Sequence, residues 1–189
     1  IGLALLRLSQ HPFLNFFAKT YVFYFRGTPL LVQIFLIYYG IGQFELVRES
    51  FVWIFFKDAY WCGILALTLN TCAYSSEIIR GGIQSVPFGQ IESARSTGMS
   101  GFLLYRRIIL PVAFRQALPA YGNEMILMVK ATSLVSTITI MDITGIAKLV
   151  IAKTWSPVEI FIAAGLIYLT INFIITRLVS FCEYKLTPY

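Results

Sequence analysis

Four stretches of the chain, residues 13–42, 59–79, 118–140 and 158–182, are apolar and lack the period-two alternation of a half-buried strand. Each reaches the roughly 20 residues that a helix needs to cross a bilayer core, so the pattern predicts four spanning helices. Inside lipid every backbone N–H and C=O must be satisfied within the protein, which a helix does by itself, and barrel-type alternation is absent. The expected fold class is an all-α membrane protein, a polytopic helical bundle without a separate soluble domain. Residues 1–12, IGLALLRLSQHP, read as the end of a further apolar helix too short to span, which predicts about five spans with the first largely missing. They carry no Met start, charged n-region or small-residue cleavage site, so they do not read as a signal peptide. The chain reads as a fragment or as the ordered part of a longer protein.

Composition agrees with the pattern. Of the 189 residues 58% are hydrophobic and only 13% charged, and the mean hydropathy is +0.75. A soluble domain averages about 45–50% apolar and about 25% charged, so an ordinary globular enzyme is excluded. The formal charge of +6 needs no nucleic-acid partner, because topology explains it. Arg80, Arg95, Arg106, Arg107 and Arg115 lie in the central loop, Arg7 and Lys19 before the first full span, and Arg177 and Lys185 at the end. The positive-inside rule puts these three segments in the cytoplasm. Cys62, Cys72, Cys182 and the single histidine, His11, have no metal-ligand spacing, and no G-x-x-x-x-G-K-[ST] phosphate loop occurs. No metal, catalytic residue or cofactor is expected on this chain. If ATP is used, another subunit binds it.

The central loop is shaped as well as charged. Pro87 suits the first turn of a short helix that includes Gln90, Ile91, Glu92, Ala94 and Arg95, and Gly98 suits the left-handed position that ends it. Ser100 can cap a second helix through Phe102, Leu103, Leu104, Tyr105, Arg106, Arg107, Ile108 and Ile109, which Pro111 is expected to end. On physical grounds two readings stand side by side, a docking surface and an amphipathic hairpin lying on lipid headgroups.

The order Glu92-Ser93-Ala94, then Gly98, then Ile109-Leu110-Pro111 closely resembles the E-A-A…G…I-x-L-P signature of the membrane-spanning subunits of ABC importers, with Ser93 in place of the first Ala. The resemblance covers nearly the whole chain. Arg26-Gly27-Thr28-Pro29 through Gln33, Asn70-Thr71-Cys72-Ala73-Tyr74, Glu77-Ile78, Arg80-Gly81-Gly82, Asn123-Glu124 and Lys130-Ala131-Thr132-Ser133-Leu134 are similar to the polar-amino-acid branch of these permeases. Asp58–Cys62 and residues 136–146 are similar to the M-type permeases of opine (octopine, nopaline) systems, which are akin to those of histidine and lysine–arginine–ornithine systems.

The resemblance implies a type I importer permease of five spans, one transmembrane domain over residues 1–189 with a cytoplasmic coupling-helix loop at about 84–116. It implies a multi-pass protein of the bacterial inner (plasma) membrane. The implied partners are two copies of an ATP-binding subunit that holds ATP and Mg, a second permease, homologous or identical, and a periplasmic substrate-binding protein. Pro87, Gln90, Glu92, Ala94, Gly98, Ser100, Leu103, Tyr105 and Arg106 are the candidate ATPase-coupling residues. The chain itself is expected to be non-catalytic and to pass a polar, basic amino acid or an opine. An ion channel without ATP coupling is the alternative. An intramembrane enzyme would need a nucleophile–base pair or a metal cluster within the spans.

Polar groups inside spans are the candidates for the substrate path, since an ionisable residue there costs about 2.5–3.5 kcal/mol on insertion scales and normally faces the bundle interior. They are Asn70, Glu77, Glu124, Lys130, Thr132, Ser133, Ser136 and Asp142. For Lys130, Thr132 and Ser133 an internal ion pair and helix–helix hydrogen bonds are an equal reading, and for Asn70 helix packing is the favoured one. Glu77 and Glu124 have Arg80 and Arg115 as competing partners, and Asp142 fits a loop end in water as well. Thr28-Pro29 reads either as a helix start or as a kink in a longer helix.

Overall fold

The computed structural model describes residues 1–186. Its regular elements are helices: α1 (Gly2–Leu8), α2 (Pro12–Gly27), α3 (Leu30–Phe35), the short α4 (Glu45–Arg48) and α5 (Trp53–Phe56), α6 (Ala59–Gln84), α7 (Phe88–Ser96), α8 (Gly101–Leu104), α9 (Leu110–Ala131), α10 (Ile143–Thr154) and α11 (Pro157–Leu186). Among the described residues no strand occurs. Helix α9 is central, with α6 against one side and α11 against another, while α1, α2 and α3 pack on α6.

Helix α6 begins where the Asp58 side chain accepts the Tyr60 N–H at 2.9 Å. Its buried positions are Cys62, Gly63, Ala66, Asn70, Ala73, Ser76 and Gly82, a stripe of small and polar residues at helical spacing. That is how helices pack in lipid, where close backbone approach and hydrogen bonds replace the hydrophobic driving force. At Gly82 the approach is tightest, for an added Cβ would lie 2.6 Å from the Ala113 carbonyl oxygen of α9. The large apolar side chains point outward instead. In α11 only Ala164 is buried, and Leu166, Ile167, Leu169, Phe173, Ile174 and Leu178 are exposed. By length and composition α6 and α11 can each cross a membrane, and up to four spans result if each of two bent helix pairs counts as one.

The bends depart from the sequence expectation. Residues 13–42 do not form one continuous helix: α2 and the helical segment Leu30–Gln43 meet at 104° across Thr28-Pro29. Thr28 is the C-cap of α2 and Pro29 the N-cap of α3, both extended, so the proline separates two helices rather than kinking one. Pro111 does the opposite of what was expected and ends nothing. Residues Tyr105–Ile109 widen into a π turn that joins α8 to α9, and Pro111 sits in the first turn of α9. The wider turn gives the ring room and removes the need for its missing N–H.

The expected span 118–140 is thus the C-terminal half of a helical segment that starts at Gly101 and tightens to a 3₁₀ helix over Thr132–Ile138. Thr139, at φ 71°, ends it in the left-handed region. The segment after Asp142, outside the four expected spans, forms α10, whose axis is bent 49° from the preceding helix.

Candidate functional site

The break at Thr28-Pro29 leaves backbone groups unpaired. In a continuous helix the Phe25 carbonyl would accept from the N–H of residue 29, and proline has none. Gln33, one turn beyond, supplies the substitute: the two hydrogens of its Nε2 are shared among Phe25 O at 3.0 Å, Thr28 O at 3.1 Å and Thr28 Oγ1 at 2.8 Å. Asn70 of α6 completes the arrangement, its Nδ2 donating to Phe25 O at 3.1 Å and to Gln33 Oε1 at 3.0 Å. Both amides are buried, Gln33 at 2% and Asn70 at 6% exposure, where an unsatisfied carbonyl would cost about 1–3 kcal/mol.

Beside this break is a cavity of about 420 Å³ whose wall comes from three places in the bundle. Arg26 to Leu30 line it from the break, Asn70 and Tyr74 from α6, and Glu124, Leu127, Met128 and Ala131 from α9. The volume lies in the range of small-molecule sites, about 300–1,000 Å³. Its charges are of both signs. The Arg26 guanidinium carbon sits 5.1 Å from the centroid of the Tyr74 ring, held by cation–π attraction, and Glu124 is a buried residue, 7% exposed. A guanidinium recognises a carboxylate, and a carboxylate recognises an ammonium or guanidinium. The chemistry suits a ligand carrying both charges.

Of the path candidates, Asn70 and Glu124 line this cavity, and the others lie outside its lining. Glu77 accepts from Arg7 Nε at 3.0 Å and from Arg80 Nη2 at 2.7 Å, tying α1 to α6. Of the competing partners offered by the sequence, Arg80 pairs with Glu77, and Arg7 of α1 is the second partner. Thr132, Ser133 and Ser136 each donate to the carbonyl three residues back, at 2.7, 2.7 and 2.8 Å, which the tighter 3₁₀ turn brings within reach. Ser136 Oγ also accepts from Lys148 Nζ at 3.0 Å. Lys130 is exposed near the end of α9, outside the cavity lining. Asp142 caps α10 by accepting the Gly145 N–H at 2.8 Å, and takes the Tyr168 hydroxyl of α11 at 2.9 Å.

Arg26, Thr28, Gln33 and Tyr74 were not among the sequence candidates. A signal for Gln33 did exist, because a proline within an apolar run orphans a carbonyl and an amide one turn away can satisfy it. For Tyr74 and Arg26 the signal is spatial, and they meet only once α2 lies on α6. Among the described residues no three His, Cys, Asp or Glu side chains come together as metal ligands.

The second region is the hairpin after α6. Pro87 stands just before α7 as its N-cap, and α7 ends in a Schellman motif, with Met99 N–H on Ala94 O at 3.0 Å and Gly98 N–H on Arg95 O at 2.9 Å. Gly98 takes φ +83°, where L side chains are strained. Ser100 is the N-cap of α8 by position, without a side-chain cap bond.

The hairpin has a small core of its own, Val86, Ala94, Leu104, Ile109 and Ala113, with Ile83, Ile91, Met99, Ile108 and Val112 against it. Among the coupling candidates Ala94 is therefore turned inward, while Pro87, Gln90, Glu92, Gly98, Ser100, Leu103, Tyr105 and Arg106 are exposed. Phe88 and Phe102 are 66% and 77% exposed on the same element, an apolar excess that the hairpin's own core does not absorb.

Residues 1–187 match the family described as the binding-protein-dependent transport system inner membrane component. The chain is 59% identical to the octopine transport system permease protein of Rhizobium meliloti over 99% of its own length and 76% of that protein's. It is 57% identical to the nopaline transport system permease protein of Agrobacterium fabrum, over all of its length and 79% of that protein's. It is 45% identical to the histidine/lysine/arginine/ornithine transport system permease protein of Escherichia coli K12, over 93% of its length and 74% of that protein's. Among solved structures, one described as an amino acid ABC transporter with histidines superposes with a TM-score of 0.85 at 37% identity, covering 97% of this chain and 81% of that one. With a family match over nearly its full length and relatives at this identity, the chain belongs to the inner membrane components of binding-protein-dependent transport systems.

Proposed function

We propose that the chain is one of two permease subunits of an ATP-driven importer that carries a basic amino acid or an opine across the bacterial inner membrane. The observation that carries the substrate class is the cavity at the Thr28-Pro29 break, whose wall combines the exposed Arg26 with the buried Glu124. A basic amino acid presents a carboxylate and cationic nitrogens, and an opine adds a further carboxylate to the same frame. Arg26 receives a carboxylate, Glu124 a cationic nitrogen, and Tyr74 covers the guanidinium face that the ligand does not use. The names of the relatives point to the same class of ligand.

Energy enters through partner subunits that bind and hydrolyse ATP. The Pro87–Arg106 hairpin, with Phe88, Phe102, Leu103 and Tyr105 exposed, is the surface for one of them. The hairpin core joins α7 to the cavity helices, since Val86 follows α6, Ile109 leads into α9 and Ala113 lies in the first turns of α9. Movement of the docked ATPase is thereby transmitted to α6 and α9, two walls of the cavity. The transition is a population shift between outward- and inward-open forms, biased by differential affinity of nucleotide and ligand for each.

The test is uptake competition in cells that carry the complete system, with arginine, lysine, histidine, octopine and nopaline each offered against a labelled basic amino acid. The expected result is competition by at least one of these dipolar cations and none by a neutral apolar amino acid such as leucine. Equal competition by leucine would count against the assignment of Arg26 and Glu124.

A further inference from the structure

Hydrogen-bond polarity passes along a row of four groups from the helix break to the cavity. Carbonyl oxygens can only accept. Phe25 O and Thr28 O, left free at the break, require a donor, and Gln33 meets them with its NH₂, 3.0 and 3.1 Å away. That fixes which way the Gln33 amide is turned and leaves Oε1 as its other end. Asn70 meets Oε1 with its own NH₂ at 3.0 Å and uses the same nitrogen on Phe25 O at 3.1 Å. An amide nitrogen has two hydrogens, so both Asn70 donors are spent. Its remaining capacity is the carbonyl oxygen, which among the described residues accepts no hydrogen bond, and Asn70 is a wall residue of the cavity.

We infer that Gln33 is a positioning residue that locks the Asn70 amide so that the cavity wall offers an acceptor, and that this oxygen, with Glu124, selects the cationic nitrogens of the ligand. This inference rests on the substrate reading proposed above. The wall's preference is then written by Pro29: remove the orphaned carbonyl and nothing dictates the direction of either amide. An amide free to turn would offer donors as readily as an acceptor. A guanidinium has donors alone and suffers from that freedom, whereas a neutral ureido group has both and adapts to either.

The test uses the full-length protein assembled with its permease and ATPase partners in lipid nanodiscs, reading equilibrium binding of L-arginine and of L-citrulline, its neutral ureido analogue. Gln33→Met keeps the volume and removes the amide. Arginine binding is expected to weaken about tenfold or more, as for loss of a hydrogen bond to a charged group, with a clearly smaller change for citrulline. Asn70→Asp keeps acceptor oxygens on the wall and is expected to raise the preference for arginine over citrulline. Parallel losses for both ligands in both variants, or no change in either, overturn the inference. Should neither variant assemble, the wild-type complex with arginine bound decides by structure: a ligand nitrogen within hydrogen-bond distance of the Asn70 amide supports the lock, and a ligand oxygen or no contact there overturns it. A wild-type complex that binds neither ligand overturns the substrate reading itself, an outcome distinct from wild-type binding with insensitive variants.

Discussion

Replacing Gly98 with valine is expected to abolish ATP-driven uptake while the protein still inserts in the membrane. Two effects combine at this residue. Gly98 closes the Schellman motif of α7 at φ +83°, a conformation in which a β-branched side chain is strained by about 1–2 kcal/mol, so the turn between α7 and α8 shifts. The side chain also enlarges the exposed tip of the surface assigned to the ATPase. The bundle itself is spared, because no atom lies within 4 Å of an added Cβ at this position. Membrane level, checked by immunoblot of washed membranes, should stay near wild type while uptake and ATPase stimulation by the binding protein fall to background. Gly98→Asn separates the two effects, since asparagine tolerates the left-handed region: recovery of uptake identifies turn shape as the cause, and continued loss identifies steric exclusion of the partner. Normal transport by Gly98→Val contradicts docking through this turn.

Glu124→Gln is expected to cut uptake of a cationic substrate by about 30-fold or more, the range for losing one partner of a desolvated charge pair, about 2–5 kcal/mol. Glu124 is 7% exposed and lines the same cavity as the Arg26–Tyr74 pair. Gln preserves the volume and one carbonyl acceptor, so packing of α9 against α6 is retained and what disappears is charge. Initial rates of labelled arginine uptake, normalised to membrane level, are the measurement. If Glu124 served only to hold the bundle, the variant would lose protein level or lose all substrates alike. Retention of full arginine uptake would remove Glu124 from the path.

How much of this was readable in the sequence depends on how local each cause is. Helices α6 and α11 follow from apolar length, and Gly98 could be read as a helix end because the Schellman motif is closed within six residues, Ala94 to Met99. The proline breaks were visible, but their outcome was not. Pro29 separates two helices at 104° because Gln33 and Asn70 satisfy the freed carbonyls, and Asn70 lies 45 residues from Phe25. Pro111 is absorbed by a π turn, which no local residue type announces. Glu77 was a plausible path residue until Arg7, 70 residues away, came to lie beside it. The cavity draws on α2, α3, α6 and α9 through chain reversals that the hydrophobic pattern does not encode, so Arg26 and Tyr74 were invisible as a pair. Helix α10 was missed because its lysines and short length resemble a loop between spans.

The central claim is that this subunit moves its ligand only when partner subunits hydrolyse ATP. Its most direct test is arginine accumulation in proteoliposomes containing the full-length protein with its partner permease and ATPase, with ATP enclosed or omitted and the binding protein present or absent outside. Accumulation that requires both ATP and the binding protein, and stops with a non-hydrolysable ATP analogue, is the predicted result. Equal flux without ATP, or conductance through the permease alone, would contradict the account and return the chain to the class of passive pores.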